Sequence, residues 1–181
     1  MTLIEIITQA LTVLNRSTDA QSMEDWKGKL TIFANDGTKD LANELQLTMT
    51  DTVTVEDRQI ALNKLTHSCV KVVSVSQNGT ELTFVLAPDS AHVSVPATGE
   101  VQVKYRYIPN AMADDIDTPG IPEHLHHLLV PYVVFREHMT ADPTMQRRAD
   151  IFFEMYDRGK REAKHTNGEY DTYRFRNTGW F

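Results

Sequence analysis

Leu3, Ile6, Ile7, Ala10, Leu11 and Leu14 recur at intervals of three and four. That period is one face of an α-helix, and it predicts a helix over residues 2–15 with Thr2 as its cap. The run "NRSTDAQ" breaks the pattern. "SMED" then has the form of a capping box, with Ser22 as cap and Asp25 in place of the usual Glu. Trp26, Leu30, Phe33, Gly37, Leu41 and Glu44/Leu45 carry the same period onward and predict a second helix over 22–44. Gly37 falls on the apolar stripe, which favours a close helix crossing over the alternative, a turn at "NDGT".

After residue 45 the period changes. "LQLTMTDTVTV", "CVKVVSVSQNGTELTFVLA", "AHVSVP" and "EVQVKYRYIP" alternate apolar with polar and are rich in β-branched residues. "QNGT" between two such runs predicts a hairpin with a type I′ turn at Asn78-Gly79. Five or six short strands in so short a span predict a small antiparallel sheet or sandwich inserted between helices.

"NAMADDIDTPGIP" follows as a polar linker without periodicity. Pro122 then takes the first turn of a helix, where its missing N–H costs nothing. "PEHLHHLLVPYVVFREHM" predicts a helix to about residue 139, bent at Pro131. Asp142-Pro143 repeats the cap-plus-proline start. Met145, Ala149, Phe152, Tyr156, Gly159 and Ala163 form one stripe through about residue 165, with Gly168 beyond it as a stop. The predicted class is α+β: a bundle of about four helices, an inserted antiparallel β subdomain and an extended C-terminal tail. The expected divisions are 1–44 and 122–166 for the bundle, 45–109 for the β insertion, 110–121 for the acidic linker and 167–181 for the tail. No internal repeat or low-complexity segment interrupts this order.

Charge narrows the function. The net charge of −7 argues against a general nucleic-acid binder. Residues 1–135 carry 9 Lys/Arg against 17 Asp/Glu, and residues 136–181 carry 9 against 8, so the acidic excess precedes a mildly basic end. The single cysteine, Cys69, cannot form an internal disulfide, and its strand setting predicts a small buried hydrophobe rather than a nucleophile. No apolar run approaches the roughly 20 residues of a membrane helix. "MTLIEIITQALTVLNR" lacks the basic start and cleavage site of a signal peptide. The expectation is a soluble cytosolic product with no membrane partner.

Chemistry-bearing motifs are few. In "HLHH", His124 and His127 share a helix face while His126 points elsewhere, but a zinc site needs a third ligand and no HExxH is present. "DDID" at 114–117 lacks the length, glycine and closing Glu of an EF-hand loop and reads as a solvated acidic segment. Walker-type, GxSxG and GxGxxG loops are absent. "RRADIFFEMYDRGKRE" is an amphipathic helix whose stripe reads as core and whose charges predict i,i+4 pairs. No catalytic residue, metal site or cofactor is expected.

The tail, "NGEYDTYRFRNTGWF", places five large aromatics and two arginines where no core is left to fill. Tyr, Trp and Arg dominate interface hot spots, and docking on another chain offsets the entropy of ordering. Tyr170, Tyr173, Arg174, Phe175, Arg176, Trp180 and Phe181 are therefore the candidate docking residues.

"VKYRYIPNAMADDIDTPGIPEHLHHLLVPYVVFREHM" resembles the head–tail connector, or neck adaptor, proteins of tailed bacteriophages. In that family a "Y.Y.P" strand leads through "D.D.P.(I/L)P" into a helix opening "E.(H/Y)..LL". Here these are Tyr105, Tyr107, Pro109, Asp115, Asp117, Pro119, Ile121, Pro122, Glu123, His126/His127, Leu128 and Leu129. "MEDWKGKLTIFANDGTKDLA" also looks like the family's second helix. The resemblance implies a virion structural protein without catalytic residues, assembled in the host cytoplasm. It further implies a ring of about twelve copies beneath the portal protein, the tail inserted into the portal, a neck or tail protein below, and DNA crossing the lumen without sequence-specific contact. Pro131 departs from the family's pattern, where this helix more often runs on through alanines. Two other readings stand beside this one: a tail-completion or tail-terminator ring protein, and a small metal-dependent hydrolase using His124 and His127.

Overall fold

The computed structural model describes residues 1–140 and 143–167. Helix α1, Leu3–Val13, opens with a capping box: the Glu5 N–H donates to Thr2 Oγ1 and the Thr2 N–H to Glu5 Oε2. Leu3, Ile6, Ile7, Ala10 and Leu11 are buried, as the spacing predicts. Helix α2, Ala20–Glu44, starts earlier than the sequence suggested. Its cap is Asp19, not Ser22; the Asp19 carboxylate accepts the Ser22 N–H at 2.8 Å and is held by the Ser17 hydroxyl at 2.7 Å. A carboxylate oriented in this way complements the positive helix start, so the N-terminal turn forms upstream of "SMED". Asp25 instead accepts from the Gln21 side chain one turn away.

Seven strands follow: β1 Thr48–Val55, β2 Gln59–Ala61, β3 Ser68–Gln77, β4 Thr80–Leu82, β5 Val85–Leu86, β6 His92–Ser94 and β7 Gly99–Ile108. They form two antiparallel sheets, ordered β1-β7-β3-β4 and β2-β6-β5. Strand β7 alternates strictly, burying Val101, Val103, Tyr105 and Tyr107. Ile60 and Val93 of the second sheet join the same apolar cluster as Val53, Val55, Val72 and Val75 of the first. The β3–β4 turn is the predicted one, with Asn78 at φ 51° and Gly79 at φ 79°. There are more strands than the five or six expected, because β2 and β5 are three and two residues long. An alternating pattern that short has no statistical weight.

The helical layer differs most from expectation around Pro131. Residues Glu123–Leu128 form a 3-10 helix, and α3 begins only at Leu129, running to Thr140. An α-helix through 127–131 would lack the Pro131 N–H and drive its ring into the His127 carbonyl. The chain avoids both by winding tighter first, which puts Pro131 in the first turn of α3. Pro122 accordingly precedes the 3-10 turn as its cap, and no mid-helix bend is needed. Helix α4, Pro143–Asn167, starts at the predicted proline and buries Ala149, Tyr156 and Ala163.

Helix α3 packs against α1, α2 and α4. Its approach depends on two glycines. A Cβ on Gly37 of α2 would lie 2.7 Å from Tyr132 Cδ1, and one on Gly159 of α4 would run into the Leu128 side chain. Gly37 is thus the close crossing that its place on the stripe indicated. Across the bundle, Tyr156 donates to Asp40 at 2.5 Å, Lys160 meets the same carboxylate at 3.1 Å, and Lys164 meets Glu44 at 3.0 Å. Burial and the Asp40 carboxylate push the Tyr156 hydroxyl far above its usual pKa. Of the i,i+4 pairs expected on α4, Arg161–Asp157 forms at 2.7 Å; Lys160 and Lys164 reach to α2 instead.

The chain enters and leaves the sheets at one place, where the Tyr107 N–H meets the Leu47 carbonyl at 3.4 Å. Among the described residues, helices and sheets bury separate apolar clusters that share only Leu47 at their edges. A chain with 48–106 replaced by a short Gly/Ser bridge is therefore expected to keep helical circular dichroism and a cooperative melt. A non-cooperative melt would show that the bundle requires the sheets.

Candidate assembly surfaces

The titratable clusters serve the fold. Under the first sheet, Asp51 accepts from the Tyr105 hydroxyl at 2.8 Å and the Thr66 N–H at 2.7 Å. Burial alone would raise the Asp51 pKa, but these donors outweigh it and hold it below the ordinary carboxylate value. Burial and the same carboxylate push Tyr105 up to about 12. Cys69 lies half-buried on β3, and burial raises its thiol, the opposite of what a nucleophile needs. Between the helices, Glu137 is 3% exposed and pairs with Lys29 at 2.5 Å and Arg16 at 3.5 Å. Arg16 also stacks 3.7 Å over Trp26, which fastens the α1–α2 connection to the end of α3.

The histidines separate by function of the 3-10 winding. With three residues per turn, positions three apart eclipse. Leu125 and Leu128 face inward, while His124 and His127 line up on the solvent side. His126 is the buried one, with Nε2 2.9 Å from the Ile121 carbonyl and Nδ1 2.9 Å from the Met1 nitrogen. Among the described residues, no group of three or more His, Cys, Asp or Glu side chains converges on a common point.

The acidic linker is the less expected feature. Asp114 and Asp115 are exposed as the sequence suggested, yet the backbone is pinned. Asn35 of α2 clamps Met112 through both its amide atoms, at 2.8 and 2.9 Å. The Leu3 and Ile4 N–H groups, unpaired in the first turn of α1, donate to the Asp117 and Asp115 carbonyls. Asp117 Oδ2 accepts the Ala113 and Asp114 N–H groups at 2.8 and 2.9 Å, and Lys27 meets Asp115 at 2.7 Å. The Tyr107 hydroxyl ties β7 to the far end through the Gly120 carbonyl. A residue in this fixed turn is nonetheless apolar and outward: Ile116 is 81% exposed.

The two N–H donors hold the Asp117 carboxyl below its usual pKa. A depressed carboxyl stabilises the turn above its unfolded value and loses that contribution as pH falls through the folded one. The protection of the Ala113 and Asp114 amides, taken relative to their intrinsic exchange rates, is accordingly expected to fall as pH drops through the lowered Asp117 pKa. Asp117→Ala is expected to show the same loss of protection at neutral pH. Unchanged protection in that variant would mean that the carboxylate does not hold the turn.

A second surface lies on α4. Ile151 and Met155, 58% and 47% exposed, sit one turn apart with Arg158 beside them. They fall off the buried stripe that the sequence pattern singled out, so stripe counting passed over them. The candidate docking residues Tyr170, Tyr173, Arg174, Phe175, Arg176, Trp180 and Phe181 lie outside the described residues, as do Asp142 and Gly168.

The end of β7, the pinned linker, the 3-10 turn and α3 make up the 105–139 block whose sequence resembles the neck adaptors. Residues 76–178, more than half of the chain, match the SU10 adaptor protein family. The chain belongs to that family. It is a phage head–tail adaptor and a structural component of the virion, of the type the 105–139 block suggested. The matched span begins within β3 and runs through the linker, both C-terminal helices and the tail as far as residue 178. An adaptor of this kind works by contact with other head and tail proteins. No curated protein sequence matches the chain. No helix among the described residues is long and apolar enough to cross a membrane.

Proposed function

We propose that this adaptor forms a ring, of about twelve copies, beneath the portal and joins the DNA-filled head to the tail. In this reading it has no catalytic role and needs no cofactor. The observation that carries it is the family match over 76–178, which includes the aromatic, arginine-bearing segment 170–176. The division of labour follows the chain. Helices 1–44 and 122–166 form the body, the β insertion 45–109 projects from it, and the acidic linker 110–121 returns the chain to the body along α1 and α2. Residues 167–181 dock on the portal. DNA passes through the lumen held by no sequence-specific contact, and a neck or tail protein binds below. The site of action is the virion neck, after assembly in the host cytoplasm.

A tail-completion or tail-terminator ring would use a similar body but bind a tail tube rather than a portal. Imaging purified adaptor mixed with its portal ring separates the two. The expected result is an additional ring of density on the portal's tail-facing end. Density on isolated tail tubes alone would reverse the assignment. For the hydrolase reading, which would use His124, His127 and the acidic linker, no third ligand stands beside the two exposed histidines among the described residues.

A further inference from the structure

We propose that neighbouring copies join head to tail, the Ile116 turn of one adaptor seating against the Ile151–Met155–Arg158 flank of α4 on the next. The inference rests on the ring reading and specifies its contact. Three observations carry it.

The first is that Ile116 is displayed rather than merely uncovered. Four hydrogen bonds and the Lys27 ion pair hold residues 112–117 against α1 and α2, two more close the turn on Asp117, and still the isoleucine stays 81% exposed. An apolar side chain fixed outward on a rigid turn loses little entropy on docking. The second observation is charge. Exposed Asp114 and Asp115 flank Ile116, and Arg158 and Arg161 share the surface of Ile151 and Met155 with Glu154 and Glu162. Asp115 already meets Lys27 and Arg161 already meets Asp157 within the protomer, so the opposite charges that the two surfaces offer each other are Asp114 and Arg158.

The third observation is placement. At about 100° per residue, Lys27 and Asn35, which hold the linker, lie on one side of the buried Leu30–Ala34–Gly37–Leu41 stripe of α2. Asp40 and Glu44, which meet α4, lie on the other. On α4 the residues facing α2 are Lys160 and Lys164, and Ile151, Met155 and Arg158 turn away from them. The acidic turn and the Ile151–Met155 flank thus occupy opposite sides of the bundle. Two different patches on opposite sides make a heterologous contact, the type that closes into a ring when the rotation permits.

The test places Ile116→Cys and Met155→Cys together in a Cys69→Ala background and treats assembled particles with a short bis-maleimide. The expected result is a ladder of covalent oligomers of this chain on denaturing gels, absent from either single-cysteine chain. Particles that show a ring of this chain without a ladder would overturn the contact and leave the ring reading intact. Particles with no such ring would overturn both. A cross-link confined within one chain would show that α4 is covered by its own protomer, and would also overturn the proposal. Two further variants give independent readouts. Ile116→Asp is expected to lower incorporation into particles about tenfold with an unchanged melt. Asp114→Arg and Arg158→Asp are each expected to impair incorporation, and together to restore it; failure of the pair to restore it would count against the charge match.

Discussion

Trp180→Ala combined with Phe181→Ala is expected to abolish stable attachment of the adaptor to the portal, whereas Arg174→Ala combined with Arg176→Ala weakens it only modestly at physiological salt. Burying a large aromatic side chain contributes roughly 1.5–3 kcal/mol or more, and two of them together set the affinity by about a hundredfold or beyond. Exposed ion pairs give about 0–1 kcal/mol and lose part of that to screening. The expected particles are filled heads without a neck, or heads leaking DNA. The melting of the free protomer is expected to be unchanged in either double variant. A portal-binding assay decides between the two kinds of attachment. Full attachment of the aromatic variant would refute a docking tail. Attachment lost only in the arginine variant would mean desolvated arginine–carboxylate pairs hold the tail.

Gly159→Val is expected to destabilise the protomer by about 1–3 kcal/mol or more, a large share of a typical domain's net stability. The reason is local: a Cβ on Gly159 would occupy the place of the Leu128 side chain, and a branched side chain extends the collision. Leu128 itself is 4% exposed and sits at the junction of the 3-10 turn and α3, where it has little room to retreat. The companion variant Leu128→Ala opens a cavity of its own and costs about 2–5 kcal/mol alone. Together the two are expected to be less damaging than the sum of the single changes, since each relieves the other. Chemical denaturation of the four chains measures the coupling. Strict additivity would show that α4 shifts away from α3 as a body, and that this packing is not the constraint.

Much of this architecture was written in short-range pattern. The α1 stripe, the Thr2 cap, the Asn78-Gly79 turn and the Pro143 start each depend on residues within a few positions of one another. Their backbone preferences act before any tertiary contact forms. The period of two in β7 was equally plain, since one face of that strand is buried along most of its length. Asp19 was missed because Ser22 also satisfies the local capping pattern, and the choice depends on Ser17 orienting the carboxylate.

The assembly surfaces were legible only in part. The 105–139 block could be read because its prolines and carboxylates recur in a recognisable order, whereas the aromatic tail lies outside the described residues. Three other facts depended on the packed chain. Pro131 lies in a first turn rather than at a bend because the tighter winding before it brings Leu125, His126 and Leu128 into the core. Lys160 and Lys164 leave their own helix for Asp40 and Glu44, partners about 120 positions away in sequence. The "DDID" segment becomes a rigid display of Ile116 because Asn35, Lys27 and the open start of α1 supply its hydrogen bonds. Helix and strand periods report which face of an element is apolar, whatever lies opposite it. They carry no term for which distant donor meets which acceptor, and that pairing is what turned a polar linker into a fixed surface.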